Sequence, residues 1–475
     1  MIVRDDSKSE TIARNLADIL PEKYISINLF ERVTNAMHPF PYDIEEEQVP
    51  YAVVYPRNAQ EVSGIMKYAN KVKVPVFVRG SGTQLGGSSR PHTHGIVLNV
   101  RHMNALEIHE DYGYFECGPG CVVAKTDEII ASRGYFFPFH PGSRIIANMG
   151  GCVSNNTSGH LVDASIGKPC DYVLGLEVVL PNGEIIETGT KGMRRPAGTD
   201  LTRYFASGDG LLGVITKIRV RLIPDFQKAY GYALFSDLPS LARGVQRMYL
   251  ERRPIPLLME FMENRAAKIG YEINGLPEPA GSPIFFVSIG TNSDEASYKL
   301  NEVLKSFEAE YPLETREVTD MDEWEKLWGA REVIGSFLMQ KTGYQWKAAE
   351  ITCNLKDIVD AIQEVVKFNK GVPIIEDLEM YLYGHIGALS MHPGILIPTD
   401  WDNELQKKAL AAIFSREAEL NVRYGGCGGE WGQFSKRKDF FIQRYGEAAY
   451  DFIKTVKSAV DPNNILNTGI LEGYR

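Results

Sequence analysis

The chain is short of several residues whose presence would mark large functional classes. It holds six cysteines in 475 residues (Cys117, Cys121, Cys152, Cys170, Cys353 and Cys427), and none forms a CxxC pair. That spacing argues against structural zinc, a four-cysteine iron–sulfur cluster and a disulfide framework, so buried reduced thiols are expected. Any iron–sulfur relay would have to sit on another chain. Basic residues are outnumbered, 51 against 61 acidic, and no long basic run relieves the net charge of −10. Nucleic acid and anionic membrane are therefore not expected as partners. No apolar run reaches the roughly 20 residues that span a bilayer, and the opening "MIVRDDSKSETIARNLADIL" has no apolar leader, so the expected location is cytoplasmic. Histidine is also scarce: of nine, only His385 and His392 lie beyond His160. They sit around the glycine-containing turn of "YLYGHIGALSMHPGILIP".

What the chain has in quantity is glycine and alternating pattern. Its length exceeds one ordinary core, and three regions separate. From about Val49 to Leu222, short β-rich runs are broken by glycine clusters, with a helix in "NAQEVSGIMKYANKVK" capped at Asn58. From about Lys228 to Pro398, strands such as "YGYALF", "LLMEFM" and "PIFFVSIG" alternate with single helices, the pattern of one sheet covered by helices. The last region holds a helix in "NELQKKALAAIFSREAELN", the cluster "RYGGCGGEWG", another helix and "DPNNILNTGIL". No solenoid repeat or low-complexity linker is visible.

In "VFVRGSGTQLGGSS" an apolar strand runs into glycines that permit φ > 0 and let backbone N–H groups converge on an anion. The spacing is neither a Walker loop nor a Rossmann fingerprint, because Leu85 stands where a third glycine would be needed. "HPGSRIIANMGGCVSNNTSG" and "LTRYFASGDGLLGVITKIRVRL" are likewise dense in small residues beside apolar strands. Three such loops suggest an extended ligand gripped by backbone.

Taken together, these stretches resemble the FAD-binding domain of the vanillyl-alcohol-oxidase superfamily, with the nearest similarity in the glycolate oxidase and D-lactate/D-2-hydroxyglutarate dehydrogenase branch. The ending "VKSAVDPNNILNTG" matches as well. The resemblance implies an α+β fold: a two-subdomain, PCMH-type FAD-binding domain (1–225), an α/β-sandwich cap that binds substrate (226–425), and a C-terminal segment returning to the first domain (426–475). It further implies that Arg79, Gly80, Ser81, Gly82, Thr83 and Gln84 embrace the pyrophosphate. Pro141, Gly142, Ser143, Gly150, Gly151 and Asn156 would line the ribityl and isoalloxazine side, and Gly213, Val214 and Ile215 the adenine end. Asp209 replaces the family's usual glutamate in the third loop. With no histidine between Arg79 and Arg90, FAD is expected to be non-covalent, although His92 and His94 lie close by.

In the hydroxy-acid branch the histidine stretch reads roughly His-x-Gly-Asp-Gly-Asn-x-His, and its two histidines bind a divalent metal with a later glutamate. Carried over, the ligands are His385, His392 and Glu430, a donor set suited to Zn, Fe or Mn. The metal would hold a 2-hydroxy acid and lower its hydroxyl pKa, with hydride passing to flavin N5. Two hydrogen-bonded histidines of a strand–turn–strand are the structural alternative. Arg331 in "LWGAREVIGSF" and Lys347 in "TGYQWKAAEI" are the cations implied for a substrate carboxylate, each with a surface charge as its alternative. The family's histidine base after the metal glutamate is replaced by Trp431, and "IGALSM" lacks Asp-Gly-Asn. "EWGQFSKRKDF" also resembles the Trp-Gly-Glu-Tyr-Arg-Thr segment of the phenol-oxidising branch, but with Phe434 and Ser435 at the tyrosine and arginine positions. Three readings follow: a metal-assisted 2-hydroxy-acid dehydrogenase, an oxidoreductase for aromatic or bulkier alcohols, or a flavin subunit of an electron-transfer complex. The expected partners are a small-molecule substrate and an iron–sulfur protein or electron-transfer flavoprotein, and the chain is expected to be a homo-oligomer.

Overall fold

The computed structural model describes residues 6–39, 44–192, 198–428 and 438–472. The chain divides into two compact units: Met1–Ser158 with Lys168–Asp225 and Gly429–Arg475, and Gly159–Gly167 with Phe226–Gly428.

The first unit contains two larger sheets. In one, the strands Val76–Arg79, Ile96–Asn99 and Ala52–Val54 run parallel, and Ile25–Ser26 adds an antiparallel edge. The parallel strands need a crossover, which is the helix Ala59–Val72. Its start is fixed by Asn58, whose side chain accepts the Glu61 N–H at 2.9 Å. Helical spacing then buries Val62, Ile65, Met66 and Ala69. The other sheet is antiparallel, in the order Leu106–His109, Tyr114–Cys117, Val214–Arg221, Val173–Val179 and Ile185–Gly189.

The C-terminal "DPNNILNTG" is built into this unit. Asp461 accepts the N–H groups of Ile465 and Leu466 (3.1 and 2.9 Å) and the ammonium of Lys457 (2.7 Å). Lys457 is itself buried and also donates to the carbonyls of Leu211 and Leu466. Burial lowers its pKa, and the Asp461 carboxylate opposes that shift. Leu466 then lies parallel to Val76, so the tail extends the edge of the sheet that carries the first glycine loop.

The second unit is an antiparallel sheet of eight strands among the described residues. Its order is Glu314–Val318, Gln227–Phe235, Ser282–Gly290, Leu258–Met262, Met380–Gly384, Ser390–Pro398 and Tyr344–Ala348, with Ile351–Thr352 also paired to Ser390–Pro398. One face carries Phe261, Ile284, Phe286, Met391 and Ile395 under the helices Leu238–Leu250, Ser293–Glu308, Ile358–Val365 and Asn403–Arg423. The opposite face meets the helices Asn264–Ile273 and Met321–Met339, through contacts such as Tyr271–Tyr232 and Trp324–Tyr230. Strand alternation sorts every side chain of this sheet onto one face or the other.

Candidate functional site

In the first unit the three glycine loops converge. Gly82 has φ of +73°, a conformation that L side chains rarely adopt, and a Cβ there would press on the Arg79 guanidinium, so the position favours glycine. Arg79 is buried beneath the loop, donating to the carbonyls of Met37 (2.9 Å) and Ser89 (3.2 Å). Ser81 donates to Asn148 Oδ1 (2.7 Å), and Asn148 donates to the Gly120 carbonyl (2.9 Å), tying the first loop to the second. Gln84 Oε1 accepts the Ser88 and Gly87 N–H groups. Asn467, in the C-terminal tail, accepts the Val78 N–H (2.9 Å) and donates to the Gly210 carbonyl (2.7 Å), tying the first loop to the third.

The loops line an open cleft. Of the residues the sequence singles out, Gly80, Gln84, Gly150, Gly151, Gly213 and Ile215 line it, joined by Pro119, Asp209, Gly210 and Asn467. The others lie off the wall. Pro141 and Ser143 form the turn before the helix Met149–Ser154, and Asn156 accepts the Cys170 N–H at 3.0 Å. Val214 is buried at the start of its strand. Five of its lining residues are glycine and three are serine, Asp209 is the one charged residue among them, and the surface is mainly apolar, so the cleft offers room for an extended ligand. A Cβ on Gly151 would meet nothing within 4 Å, so this glycine keeps cleft space open. His92 and His94 do not line the cleft. His94 Nδ1 lies 2.8 Å from the Val49 carbonyl and its ring stacks on Tyr51. His92 packs on Phe77 and Gly469, and burial with the nearby Arg90 charge lowers its pKa to about 4.

In the second unit a buried polar group forms on the sheet face that meets Met321–Met339. His385 follows the strand Met380–Gly384, and His392 lies on the next strand opposite Tyr383. Their ring centroids are 5.0 Å apart. His385 Nδ1 is 2.6 Å from Glu260 Oε1, and His392 Nδ1 is 3.3 Å from the Ala349 carbonyl. Arg331, on the long helix, donates from Nη2 to Glu260 Oε2 at 2.6 Å and lies 4.9 Å from the Tyr383 ring centroid. Among the described residues its Nε is buried without an acceptor. His160 joins the group, 5.7 Å from His385 and 5.0 Å from Trp328 between ring centroids, and Trp328 stacks against Trp324.

Lys347 is not brought to this group. It pairs with Ile395 in the sheet and so shares the opposite face, where its ammonium lies 4.7 Å from the Phe414 ring centroid. Glu430 and Trp431 lie outside the described residues. Nδ1 atoms placed beside oxygen atoms are common to hydrogen-bonded buried histidines and to metal-ligating ones alike. Among the described residues, no group of three or more His, Cys, Asp or Glu could hold a metal. Sequence reading overlooked Glu260, His160, Asn148 and Asn467. For Glu260 a signal existed: it is the one charge in the wholly buried strand "LMEFM".

A glycine-lined cleft in one unit and a buried histidine–arginine–carboxylate group in the other are compatible with a flavin-dependent oxidoreductase. The comparisons with known proteins agree: the FAD binding domain model matches residues 50–189, and the model for the C-terminal domain of FAD linked oxidases matches residues 226–471. The chain belongs to the FAD-linked oxidase family and is an oxidoreductase acting on CH–OH donors. It is 30% identical to the glycolate oxidase subunit GlcD of Bacillus subtilis over 434 residues, which is 89% of each chain. It is 29% identical to a D-lactate dehydrogenase of Archaeoglobus fulgidus over 428 residues, 88% of this chain and 90% of that one. The fold is shared with p-cresol methylhydroxylase solved with substrate bound (TM-score 0.76, 16% identity, 99% and 97% of the two chains). Among the described residues, no helix is long and apolar enough to cross a membrane.

Proposed function

We propose that the protein oxidises a 2-hydroxy acid, with non-covalently bound FAD and help from a divalent metal. In this reading residues 1–225 and 426–475 hold the flavin, and 226–425 hold the substrate. The carrying observation is Arg331. An arginine N–H buried without an acceptor costs about 1–3 kcal/mol, and an incoming carboxylate oxygen would relieve that cost. The guanidinium therefore suits an anionic substrate even though Glu260 already takes its Nη2. His385 and His392 would hold the metal through Nε2, with Glu430 as the third ligand. A bound divalent ion supplies a Lewis acid that makes the substrate hydroxyl easier to deprotonate, and bound FAD supplies the hydride acceptor. The named relatives, a glycolate oxidase subunit and a D-lactate dehydrogenase, support the substrate class. Electrons would leave for an iron–sulfur protein or an electron-transfer flavoprotein.

A second reading, an aryl-alcohol or 4-alkylphenol oxidoreductase, draws on the aromatic surroundings of His385. Trp324 stacks against Trp328, Trp328 meets His160 edge-on, and Tyr383 lies 5.9 Å from His392 between ring centroids, aromatic surfaces of the kind a bulky substrate would use. Anaerobic mixing with a panel of 2-hydroxy acids, 4-alkylphenols and aryl alcohols decides between them. The first reading requires bleaching of the flavin absorbance by 2-hydroxy acids and its loss after chelation. Bleaching by phenols alone, insensitive to chelator, refutes it. A flavin that none of the compounds reduces points to an electron-transfer subunit.

A further inference from the structure

We infer that Glu260 is a positioning residue that fixes the tautomer of His385, an assignment that deepens the proposed reading and rests on it for its catalytic consequence. Glu260 stands in the middle of the strand Leu258–Met262 with no measurable exposure. A lone carboxylate there would be strongly unfavourable. Its two oxygens are divided, Oε2 to Arg331 Nη2 and Oε1 to His385 Nδ1, both at 2.6 Å. Strand alternation explains the meeting, because Glu260 points to the face covered by the Met321–Met339 helix, which carries Arg331.

A carboxylate paired with a guanidinium accepts hydrogen bonds and donates none. Nδ1 of His385 must then carry a proton, and in the neutral form of the ring the lone pair is on Nε2. That is the nitrogen a metal or a substrate proton would need. Arg331 makes the arrangement one-directional. A guanidinium has only donors, so whatever replaces Glu260 must turn an acceptor towards Arg331 before it can serve His385.

Glutamine at this position has one acceptor and one donor. In Glu260→Gln the amide oxygen faces Arg331, the NH₂ faces His385 Nδ1, and the ring must switch to the Nε2–H tautomer. In the double variant Glu260→Gln/Arg331→Met that demand disappears. The amide can turn its oxygen to His385, and the Nδ1–H tautomer returns. The double variant also removes the buried unpaired charge that would threaten folding of the single one.

The test is ring-nitrogen NMR of ¹⁵N-histidine-labelled flavoprotein without added metal, with the His385 signals assigned from their absence in His385→Gln. The expected result is Nδ1–H in wild type, Nε2–H in Glu260→Gln, and Nδ1–H again in the double variant. Co²⁺ absorbance serves as the metal probe, with affinity expected to fall about 10–100-fold in Glu260→Gln and to recover in the double variant. Flavin content, set by the other unit, and thermal melting report folding. A wild-type ring protonated on both nitrogens, or a tautomer that Glu260→Gln leaves unchanged, overturns the inference. If Glu260→Gln does not fold, the double variant decides: a ring that stays Nε2–H there overturns it as well. A tautomer switch in a protein that binds no Co²⁺ supports the role of Glu260 and counts only against the metal.

Discussion

Two adjacent glycines in the helix Met149–Ser154 separate the demands of folding from those of cofactor binding. Both Gly150 and Gly151 line the cleft. A Cβ at Gly150 would lie 2.5 Å from Pro119 Cβ and 3.1 Å from Pro119 backbone atoms, whereas one at Gly151 would meet nothing within 4 Å. Neither has a positive φ, so the backbone tolerates a side chain at either position. Gly151→Leu should therefore leave the flavin-free protein as stable as wild type or more so, because replacing a helical glycine gains about 0.5–1 kcal/mol. The same side chain would crowd the bound cofactor, and overpacking of that kind costs about 1–3 kcal/mol, roughly five- to 150-fold in dissociation constant. Gly150→Ala should do the reverse: lower the thermal midpoint with and without flavin, because the rigid proline ring cannot move aside. The assays are the ratio of flavin to protein absorbance after purification, FAD titration by fluorescence quenching, and melting of the flavin-free protein. A Gly151→Leu protein that keeps its full flavin complement with unchanged affinity would show that this cleft is not the flavin's seat.

Acid precipitation should release all yellow colour into the supernatant, and a coloured pellet would disprove non-covalent attachment. His392→Ala should lose metal and turnover while retaining flavin, measured by elemental analysis beside absorbance, since His392 belongs to the second unit and the cleft proposed for FAD to the first. Equal metal in variant and wild type would sink the ligand assignment. Arg331→Ala should weaken hydroxy-acid binding by about thirtyfold or more, the effect of losing a charge-assisted pair. Because it also strands Glu260, its melting curve must be recorded alongside, and unchanged turnover by a folded variant would remove the carboxylic-acid reading.

The flavin unit was legible because its signals are local. Asn58 caps the helix Ala59–Val72 where the pattern places it, and the apolar run before Gly80 is the strand Val76–Arg79. The glycine clusters mark positions such as Gly82 where a positive φ favours glycine, and that preference is written in the residue itself. The supports of those loops were not legible. Asn148 and Asn467 act through partners distant in sequence, Asn467 reaching Val78 across most of the chain. In the second unit the charged edge strand Glu314–Val318 gave no apolar signal. The histidine pair was visible as spacing, but spacing does not say which sheet face a neighbouring cation takes. Lys347 and Arg331 both looked available for one carboxylate. Once the register sets Lys347 opposite Ile395, alternation carries it to the face packed by Asn403–Arg423 and leaves Arg331 with Glu260. The buried glutamate is the residue a pattern reading discards most readily, because a charge amid Leu258, Met259, Phe261 and Met262 looks like an interruption of the core. A charge at that depth is tolerated only where partners await it. An isolated acid in an otherwise apolar strand therefore forecasts that an arginine or histidine elsewhere in the chain will fold onto it.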